Sequence, residues 1–304
     1  MSLYLKYRPK TLERVKGNEQ VVRTLDTMLK NKEKCPHTFL LHGPTGCGKT
    51  TIARIIADRL GSTGTDLSEI DLGDYRGIET IRDIRRNSHF MPTESECKVW
   101  IMDECHKMTN DAQNALLKIL EDTPKLVYFI LCTTEPQKVI ATIKGRCSSF
   151  QVKPLTEEEM HALLRRVVKR EEETLEDEIY NSIVQNCNGL PRNALQILEQ
   201  VLNVAPDYRL DVAKKTEEQI NQSIELCRAL IKRASWRTIA TILTGLKGQE
   251  AESIRRVVLG YCQAILLSRD EYQAGTVLEA FIDPFYDSGF PQLVYACYSI
   301  SKTK

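Results

Sequence analysis

The chain has 304 residues, of which 42% are hydrophobic and 27% charged, a composition typical of a folded globular protein rather than a disordered one. Its 42 basic and 41 acidic side chains nearly cancel, so any binding of nucleic acid must come from a local basic patch. No apolar run reaches the roughly 18 residues of a membrane-spanning helix, and the first residues have no secretory signal. We therefore expect a cytoplasmic protein that does not contact a membrane. The 10 cysteines contain no Cys-x-x-Cys pair, which favours buried, reduced thiols over zinc ligands or disulfides.

Short apolar runs alternate with helical patterns in the first half of the chain. The predicted strands are residues 38–42, 68–72, 98–102, 127–132 and 149–152. Between them, apolar residues recur at helical spacing over 50–60, 77–87 and 110–122, where Asn110 and Gln113 resemble a capping box. This alternation predicts an α/β fold, a parallel five-stranded sheet with helices on both faces.

After Pro154 the pattern is helical only. Thr156 and Glu159 form a capping box for a helix that extends to about Arg170, and two more helices are predicted before a linker near residues 205–207. We therefore predict three domains, at residues 1–154, 155–207 and 208–304.

A phosphate-binding loop follows the first strand. Residues 43–50 read G-P-T-G-C-G-K-T, which fits G-x-x-x-x-G-K-[ST], with a predicted strand before it and a helix after it. Glycines let backbone N–H groups turn toward the phosphates of ATP, Lys49 reaches the β- and γ-phosphates, and Thr50 is a ligand for Mg²⁺. The residues predicted to hold the nucleotide here are Gly43, Pro44, Thr45, Gly46, Cys47, Gly48, Lys49, Thr50 and Thr51.

Two acidic residues end the third strand, and a threonine pair ends the fourth. Asp103 would hold Mg²⁺ through water, and Glu104 would orient the water that attacks the γ-phosphate. Thr133 and Thr134 are polar side chains that would lie between the two strands of the nucleotide site, although threonine is common at strand ends.

Together these motifs resemble the clamp-loader ATPases of the AAA+ superfamily, most of all the bacterial DNA polymerase III gamma/tau subunits, with kinship to the small subunits of replication factor C. The resemblance rests on Y-R-P at 7–9 followed by V-x-G-N-E at 15–19, D-E-C-H at 103–106, A-L-L-K-x-L-E at 115–121 and T-T-E-P-Q-K at 133–138. It implies an AAA+ domain, a helical lid and an all-α collar. The zinc module that gamma/tau subunits usually carry is missing between residues 61 and 97.

The resemblance also assigns roles to single residues. The opening segment, with Tyr7, Arg8, Pro9 and Val15, would wrap the adenine. Thr134 would be the sensor of the γ-phosphate, with Thr133 as second choice. Arg146 in G-R-C at 145–147 would be the finger that reaches the γ-phosphate of a neighbouring subunit, although Gly145 stands where the family has Ser. Arg192 in G-L-P-R-N-A-L would contact the nucleotide of its own chain from the lid.

Two surfaces are predicted on and after the helix near residues 77–87. Arg76, Arg82 and Arg86 would bind the backbone of primer–template DNA, the alternative being a solvated basic face. Phe90 and Met91 would contact the sliding clamp, the alternative being packing within their own domain.

The function predicted from these motifs is that of an ATPase subunit of a clamp loader, active in a bacterial or phage-infected cell. Its expected partners are the sliding clamp, primer–template DNA and other loader subunits in a ring or spiral, as a pentamer. Two alternatives remain. The first is another AAA+ DNA ATPase, such as a branch-migration motor or helicase loader, and the second is a non-catalytic loader scaffold. The intact Lys49, Thr50, Asp103 and Glu104 argue against the scaffold.

Overall fold

The computed structural model describes residues 2–31, 34–268, 271–285 and 288–302, with only the backbone described at 211 and 215–221. It divides into two compact units, Met1–Asn203 and Val204–Lys304. The finer division of the first unit at residue 154 stays a prediction. Within the described ranges, every helix is too short or too polar to cross a bilayer.

The first unit is built on one parallel sheet. Its five strands lie in the order β2-β3-β4-β1-β5, and all neighbouring pairs are parallel. The strands are β1 (Thr38–His42), β2 (Leu67–Asp71), β3 (Lys98–Asp103), β4 (Val127–Thr133) and β5 (Ser148–Gln151). The prediction of a five-stranded parallel sheet is confirmed, with each strand within one residue of its expected bounds at either end.

Nine helices are described in the first unit. They are α1 (Leu3–Lys6), α2 (Glu19–Lys30), α3 (Lys49–Leu60), α4 (Ile78–Ser88), α5 (Asn110–Glu121), α6 (Ala141–Lys144), α7 (Glu157–Arg170), α8 (Asp177–Asn186) and α9 (Pro191–Leu202). Those from α2 to α6 supply the residues that pack on the two faces of the sheet. Successive strand residues point to opposite faces. Phe39 and Leu41 pack with the core on the α2–α3 side, whereas Leu40 packs with the core formed by α4 and α5. Because both faces of the three central strands β1, β3 and β4 are buried, these strands appear in the sequence as nearly continuous apolar runs.

The helix caps only partly follow the prediction. The capping box of α7 is confirmed, since the Thr156 side chain accepts from the Glu159 amide and the Glu159 carboxylate accepts from the Thr156 amide. The expected cap of α5 was wrong. Thr109 caps this helix by accepting from the Ala112 amide, while Gln113 is buried and bonds to the backbone of Met108, Lys138 and Ile140.

The second unit contains five helices in its described residues. They are α10 (Arg209–Ile231), α11 (Trp236–Gly245), α12 (Ala251–Ser268), α13 (Tyr272–Ala280) and α14 (Phe290–Lys302). Its core includes the buried carboxylate of Glu252, which pairs with Arg255 at 2.7 Å and accepts from the Phe285 amide at 3.0 Å. This pair satisfies a charge that would be costly to bury alone. The expected all-α region is confirmed for the described part of the chain.

The cysteines are mostly buried, as expected. All 10 are free thiols and all are buried except Cys147, which is half-buried. Burial raises the pKa of Cys147, Cys227 and Cys297 to about 12, so these thiols stay protonated at neutral pH.

Candidate nucleotide-binding site

The loop between β1 and α3 has the backbone of a phosphate cradle. Gly43, Gly46 and Gly48 have φ values of 152°, 79° and 106°, in the region that favours glycine. At Gly43 a Cβ atom would lie 2.0 Å from the carbonyl oxygen of Val152, so no larger residue fits without moving the backbone. The loop therefore turns tightly and delivers the N-terminus of α3, with its free N–H groups, to the edge of the sheet.

Lys49 is the buried cation of this cradle. Lys49 is only 6% exposed, and its Nζ donates to the carbonyl oxygens of Gly43 and Pro44 at 2.9 and 3.0 Å. No described carboxylate pairs with it. A buried ammonium group bonded only to neutral carbonyls is well placed for an anion, because a charge is costly to bury without a counter-charge.

The ligands predicted for magnesium lie together. Thr50 at the start of α3 donates its hydroxyl to Asp103 Oδ2 at 2.6 Å, across 53 positions of sequence. The next residue, Glu104, has a φ of 50°, a left-handed conformation that is strained for a residue with a side chain. Its backbone N–H donates to Asp103 Oδ1 at 3.0 Å. The end of β3 thus places two successive carboxylates, Asp103 and Glu104, at the same edge of the sheet.

Both threonines at the end of β4 take part in the site. The Thr134 hydroxyl donates to Glu104 Oε2 at 3.1 Å. Thr133 is fully buried, and its Oγ1 lies 3.0 Å from Nδ1 of His106. The role of sensor stays a prediction, but the contact shows how Thr134 reaches the carboxylate that would orient water.

These residues line a cavity in the first unit. Fourteen of the predicted residues line it: Tyr7, Arg8, Pro9, Val15, Thr45, Gly46, Cys47, Gly48, Lys49, Thr50, Thr51, Asp103, Glu104 and Arg192. Gly43 and Pro44 accept hydrogen bonds from the lining residue Lys49, and Thr134 donates one to the lining residue Glu104. Arg146 is not among the lining residues.

Some lining residues were missed by sequence reasoning. They are Tyr4, Arg14, Lys16, Ile52, Leu155, Leu163, Arg166, Pro191 and Leu195. Most come from the opening segment and from α7 and α9, where the sequence shows only ordinary helix patterns. No local signal marks Arg166, for instance, because the fold alone brings α7 to the cavity.

The cavity is strongly cationic at neutral pH. Six basic side chains line it against two carboxylates; the bases are Arg8, Arg14, Lys16, Lys49, Arg166 and Arg192. Burial lowers the pKa of Arg8, and the neighbouring Arg54 and Arg192 lower it further. The buried Nε of Arg166 has no hydrogen-bond partner among the described residues. This excess of positive charge suits a polyphosphate ligand.

The opening segment contacts the predicted helical lid, residues 155–207. The Tyr7 hydroxyl donates to Glu171, just after α7, and Lys6 Nζ lies 2.7 Å from the same carboxylate. The Arg192 guanidinium lies 5.8 Å from the ring centre of Tyr4. The predicted adenine-binding segment and the predicted second sensor therefore border one cavity.

Arg146 lies outside the cavity, on the surface that follows α6. Its guanidinium pairs with Glu121 at the end of α5 and donates to the carbonyl of Thr142 at 3.1 Å. Gly145 has φ −66° and ψ −17°, an ordinary helical conformation, so the turn does not require glycine. Arg146, the predicted finger, therefore follows a regular helix end although Gly145 replaces Ser.

The predicted DNA and clamp residues are all on the surface. Arg82 pairs with Glu79 and Arg86 with Asp83, each three positions along α4, and Arg76 is exposed just before the helix. Phe90 and Met91 are 62% and 72% exposed. They are therefore not part of the domain core, which was the alternative reading of these two side chains.

The residues present fit ATP with Mg²⁺. The glycine cradle leaves room for phosphates, no carboxylate in the described part of the chain pairs with the buried Lys49, and Thr50 and Asp103 bring two oxygen ligands together. Oxygen ligands of this kind are what Mg²⁺ prefers.

Comparisons with known proteins show what this chain is similar to. The chain is 35% identical over 230 residues to the DNA polymerase III subunit gamma/tau of Mycobacterium tuberculosis strain H37Rv, covering 68% of this chain and 40% of that protein. It is 30% identical over 288 residues to the DNA polymerase III subunit tau of Escherichia coli K12, covering 86% of this chain and 44% of that protein. Over most of its length the chain is thus similar to the gamma/tau subunits of DNA polymerase III. The resemblance drawn from the motifs is thereby confirmed.

Two further comparisons bear on the fold and on the extent of the match. A family model described as DNA polymerase III, delta subunit, matches residues 66–156. The RuvB Holliday junction branch migration motor of Thermotoga maritima matches with a TM-score of 0.61 at 22% identity, over 78% of this chain and 85% of that one. At this identity the match shows the AAA+ fold alone. The chain spans less than half the length of the gamma/tau relatives named above.

Proposed function

We propose that this chain is an ATP-hydrolysing subunit of a sliding-clamp loader. The observation that carries the proposal is the convergence of Lys49, the Thr50–Asp103 pair and the Thr134–Glu104 pair on one cationic cavity. The similarity to gamma/tau subunits supports the choice of a clamp loader over other DNA ATPases.

In the proposed reaction, the chain's own residues bind and orient the nucleotide. Lys49 and Arg192 neutralise the phosphates, the loop N–H groups hold them, and Thr50 and Asp103 would hold Mg²⁺, which neutralises developing charge on the phosphates. Glu104 orients the attacking water, and Thr134 holds the Glu104 carboxylate at 3.1 Å. Tyr7, Arg8, Pro9 and Val15 border the part of the cavity that would take the adenine.

Assembly and partners extend this proposal. Because Arg146 is exposed and does not line its own cavity, it is free to serve the ATP of a neighbouring subunit once it leaves Glu121. Phe90 and Met91 offer an apolar surface to a sliding clamp, and Arg76, Arg82 and Arg86 offer charge to primer–template DNA. We propose a pentameric ring or spiral in the cytoplasm of a bacterial or phage-infected cell.

The non-catalytic scaffold is a second candidate, because the matching family model carries the description of a delta subunit. It is less well supported, since a scaffold needs neither a buried Lys49 nor a Thr50–Asp103 contact. A branch-migration motor is supported by fold alone.

Replacing Glu104 with Gln separates these candidates. The variant should bind ATP normally and lose turnover by roughly 100-fold or more, because it keeps the shape of the side chain and removes its charge. The exposed Glu94→Gln is the matched control and should hydrolyse ATP at the wild-type rate. Both rates should be measured with primer–template DNA and clamp present. Equal rates in wild type and Glu104→Gln would contradict the assignment, and an inactive wild type would favour the scaffold.

A further inference from the structure

His106 lies directly behind the proposed water-orienting carboxylate. It follows Glu104 in the short 3-10 turn Cys105–Lys107, and its side chain is only 6% exposed. Its Nδ1 is 3.2 Å from Glu104 Oε2, and its Nε2 is 3.2 Å from Glu135 Oε1. The ring therefore stands between two carboxylates that are 31 positions apart in sequence.

The ring itself is held in place from several sides. The Thr133 Oγ1 lies 3.0 Å from Nδ1 and also accepts from the Glu135 backbone amide at 3.0 Å. Glu135 is in turn paired with Lys138 at 2.9 Å. A buried imidazole with polar partners at both nitrogens has one preferred orientation, because any other would leave a buried polar group unsatisfied.

The chemistry of the ring limits what it can donate. Burial lowers the pKa of His106, while Glu104 and Glu135 act in the opposite direction. A neutral imidazole carries one N–H and can donate to only one of the two carboxylates at a time. In either tautomer the edge of the ring that carries Nδ1 faces Glu104 and restricts where that carboxylate can lie.

Glu104 has few other constraints. Its backbone is in a strained left-handed conformation, and its carboxylate is about a quarter exposed, with the Thr134 hydroxyl as its other polar side-chain contact among the described residues. A flexible carboxylate next to a cavity needs support on more than one side if it is to orient water reproducibly.

We propose that His106 is a positioning residue for ATP hydrolysis, a ring anchored by Glu135 and Thr133 that holds the Glu104 carboxylate in the geometry required to orient water. This inference rests on the proposed ATPase function. It assigns to His106 no contact with the nucleotide, so its effect should be on turnover and not on binding.

A set of substitutions at one position tests this role. The Asn side chain places an amide close to the position of Nδ1, whereas the Gln side chain places one close to the position of Nε2. In the full-length protein, stimulated by primer–template DNA and clamp, His106→Ala should lower kcat by roughly 10- to 100-fold. His106→Asn should recover part of that loss and His106→Gln less. The affinity for a fluorescent ATP analogue should stay within about 2-fold of wild type, because the change does not touch the cradle.

Glu135→Gln provides a second variant that leaves the buried ring in place. Glu135 is at the surface, with a side chain 36% exposed, so this change should fold normally. It should lower kcat less than His106→Ala does, and it should have no further effect once His106 is Ala, because Glu135 acts through the ring. This loss of additivity is not expected if each residue only fills space.

The outcomes distinguish this inference from the proposed function. A wild-type chain that binds and hydrolyses ATP, together with a fully active His106→Ala variant, would overturn the role of His106 and leave the ATPase intact. Loss of ATP affinity in proportion to turnover, or additive effects of His106→Ala and Glu135→Gln, would also overturn it. A wild-type chain without ATPase activity under stimulated conditions would overturn the proposed function, and this inference with it.

Discussion

Two regions of the first unit differ in how closely their functional residues are constrained. In the nucleotide cavity, Lys49, Thr50 and Asp103 are fixed by buried neighbours and by hydrogen bonds of 2.6 to 3.0 Å. On the exposed side of α4, Arg82 and Arg86 bond only to acids one turn away on their own helix. The cavity residues are held by buried contacts, whereas the α4 surface is held together by pairs that water and salt can separate.

This difference follows from where the side chains are attached. The cavity residues stand at the carboxyl ends of parallel strands, where the register pairs His42 with Thr133 and Asp71 with Asp103. Where a strand is buried, its pairing register is strongly specified, so the residues at its end are held in one position. The arginines of α4 are attached to the exposed face of a helix, where they pair with acids of the same helix, so their proposed function depends on a partner.

The largest expected effect is in the cavity. Lys49→Ala should remove ATP binding, because the lost buried charge contact amounts to about 2–5 kcal/mol of binding free energy. Titration with a fluorescent ATP analogue measures this directly. The exposed Lys30→Ala should bind as wild type does. A Lys49→Ala chain with wild-type affinity would show that the cavity is not the nucleotide site.

The second effect concerns Arg146, which has features of both regions. It is exposed as the α4 arginines are, but we propose that it acts on a nucleotide. Arg146→Ala should leave ATP affinity nearly unchanged and cut stimulated turnover, by up to roughly 10³-fold for a finger of this type. Steady-state ATPase assays with separate affinity measurements check both parts.

Mixing two inactive variants tests whether Arg146 acts between chains. An Arg146→Ala chain retains its own cavity, and a Lys49→Ala chain retains its finger. When mixed oligomers form, as a pull-down must first show, some ATPase activity should return, because an intact cavity can meet an intact finger. Mixed oligomers without any recovered activity would mean that Arg146 does not act in trans.

The two faces of α4 offer a smaller and purely structural test. Ile84 on the inner face is buried, and its change to Ala should cost about 2–5 kcal/mol of unfolding free energy. Phe90 and Met91 follow the helix and are largely exposed, so replacing each with Ser should change stability by no more than about 0.5 kcal/mol. Urea denaturation measures both. A large loss at Phe90 would mean that it packs in the fold and is unavailable to a clamp.

How much could be predicted from the sequence also depends on burial and on local backbone shape. The central strands β1, β3 and β4 were recovered because a strand buried on both faces is a nearly continuous apolar run. The loop at residues 43–50 was recovered because its glycines allow the backbone conformation that the loop needs. The cap of α5 was mistaken because Thr109 and Asn110 are both good caps and stand side by side. Arg166 and the contacts of His106 could not be predicted, because they join segments far apart in the chain.

The smallest expected effect is at the arginines of α4. If Arg76, Arg82 and Arg86 contact phosphates, each contact removed should lower the slope of log affinity against log salt by about one unit, for unrelated DNA sequences alike. The triple Ala variant should therefore bind primer–template DNA more weakly, with a slope reduced by up to about three units.

The acids on the same helix provide the matched control. Glu79 and Asp83 pair with Arg82 and Arg86 in the free protein, and exposed pairs of this kind contribute only about 0–1 kcal/mol each. A Glu79→Gln, Asp83→Asn variant should thus bind DNA slightly more tightly, because it removes two repulsive charges and frees two guanidinium groups. Opposite shifts in the two variants would establish this helix as the DNA contact. Unchanged affinity and salt slope in both would show that the basic face of α4 is solvated and contacts no phosphate.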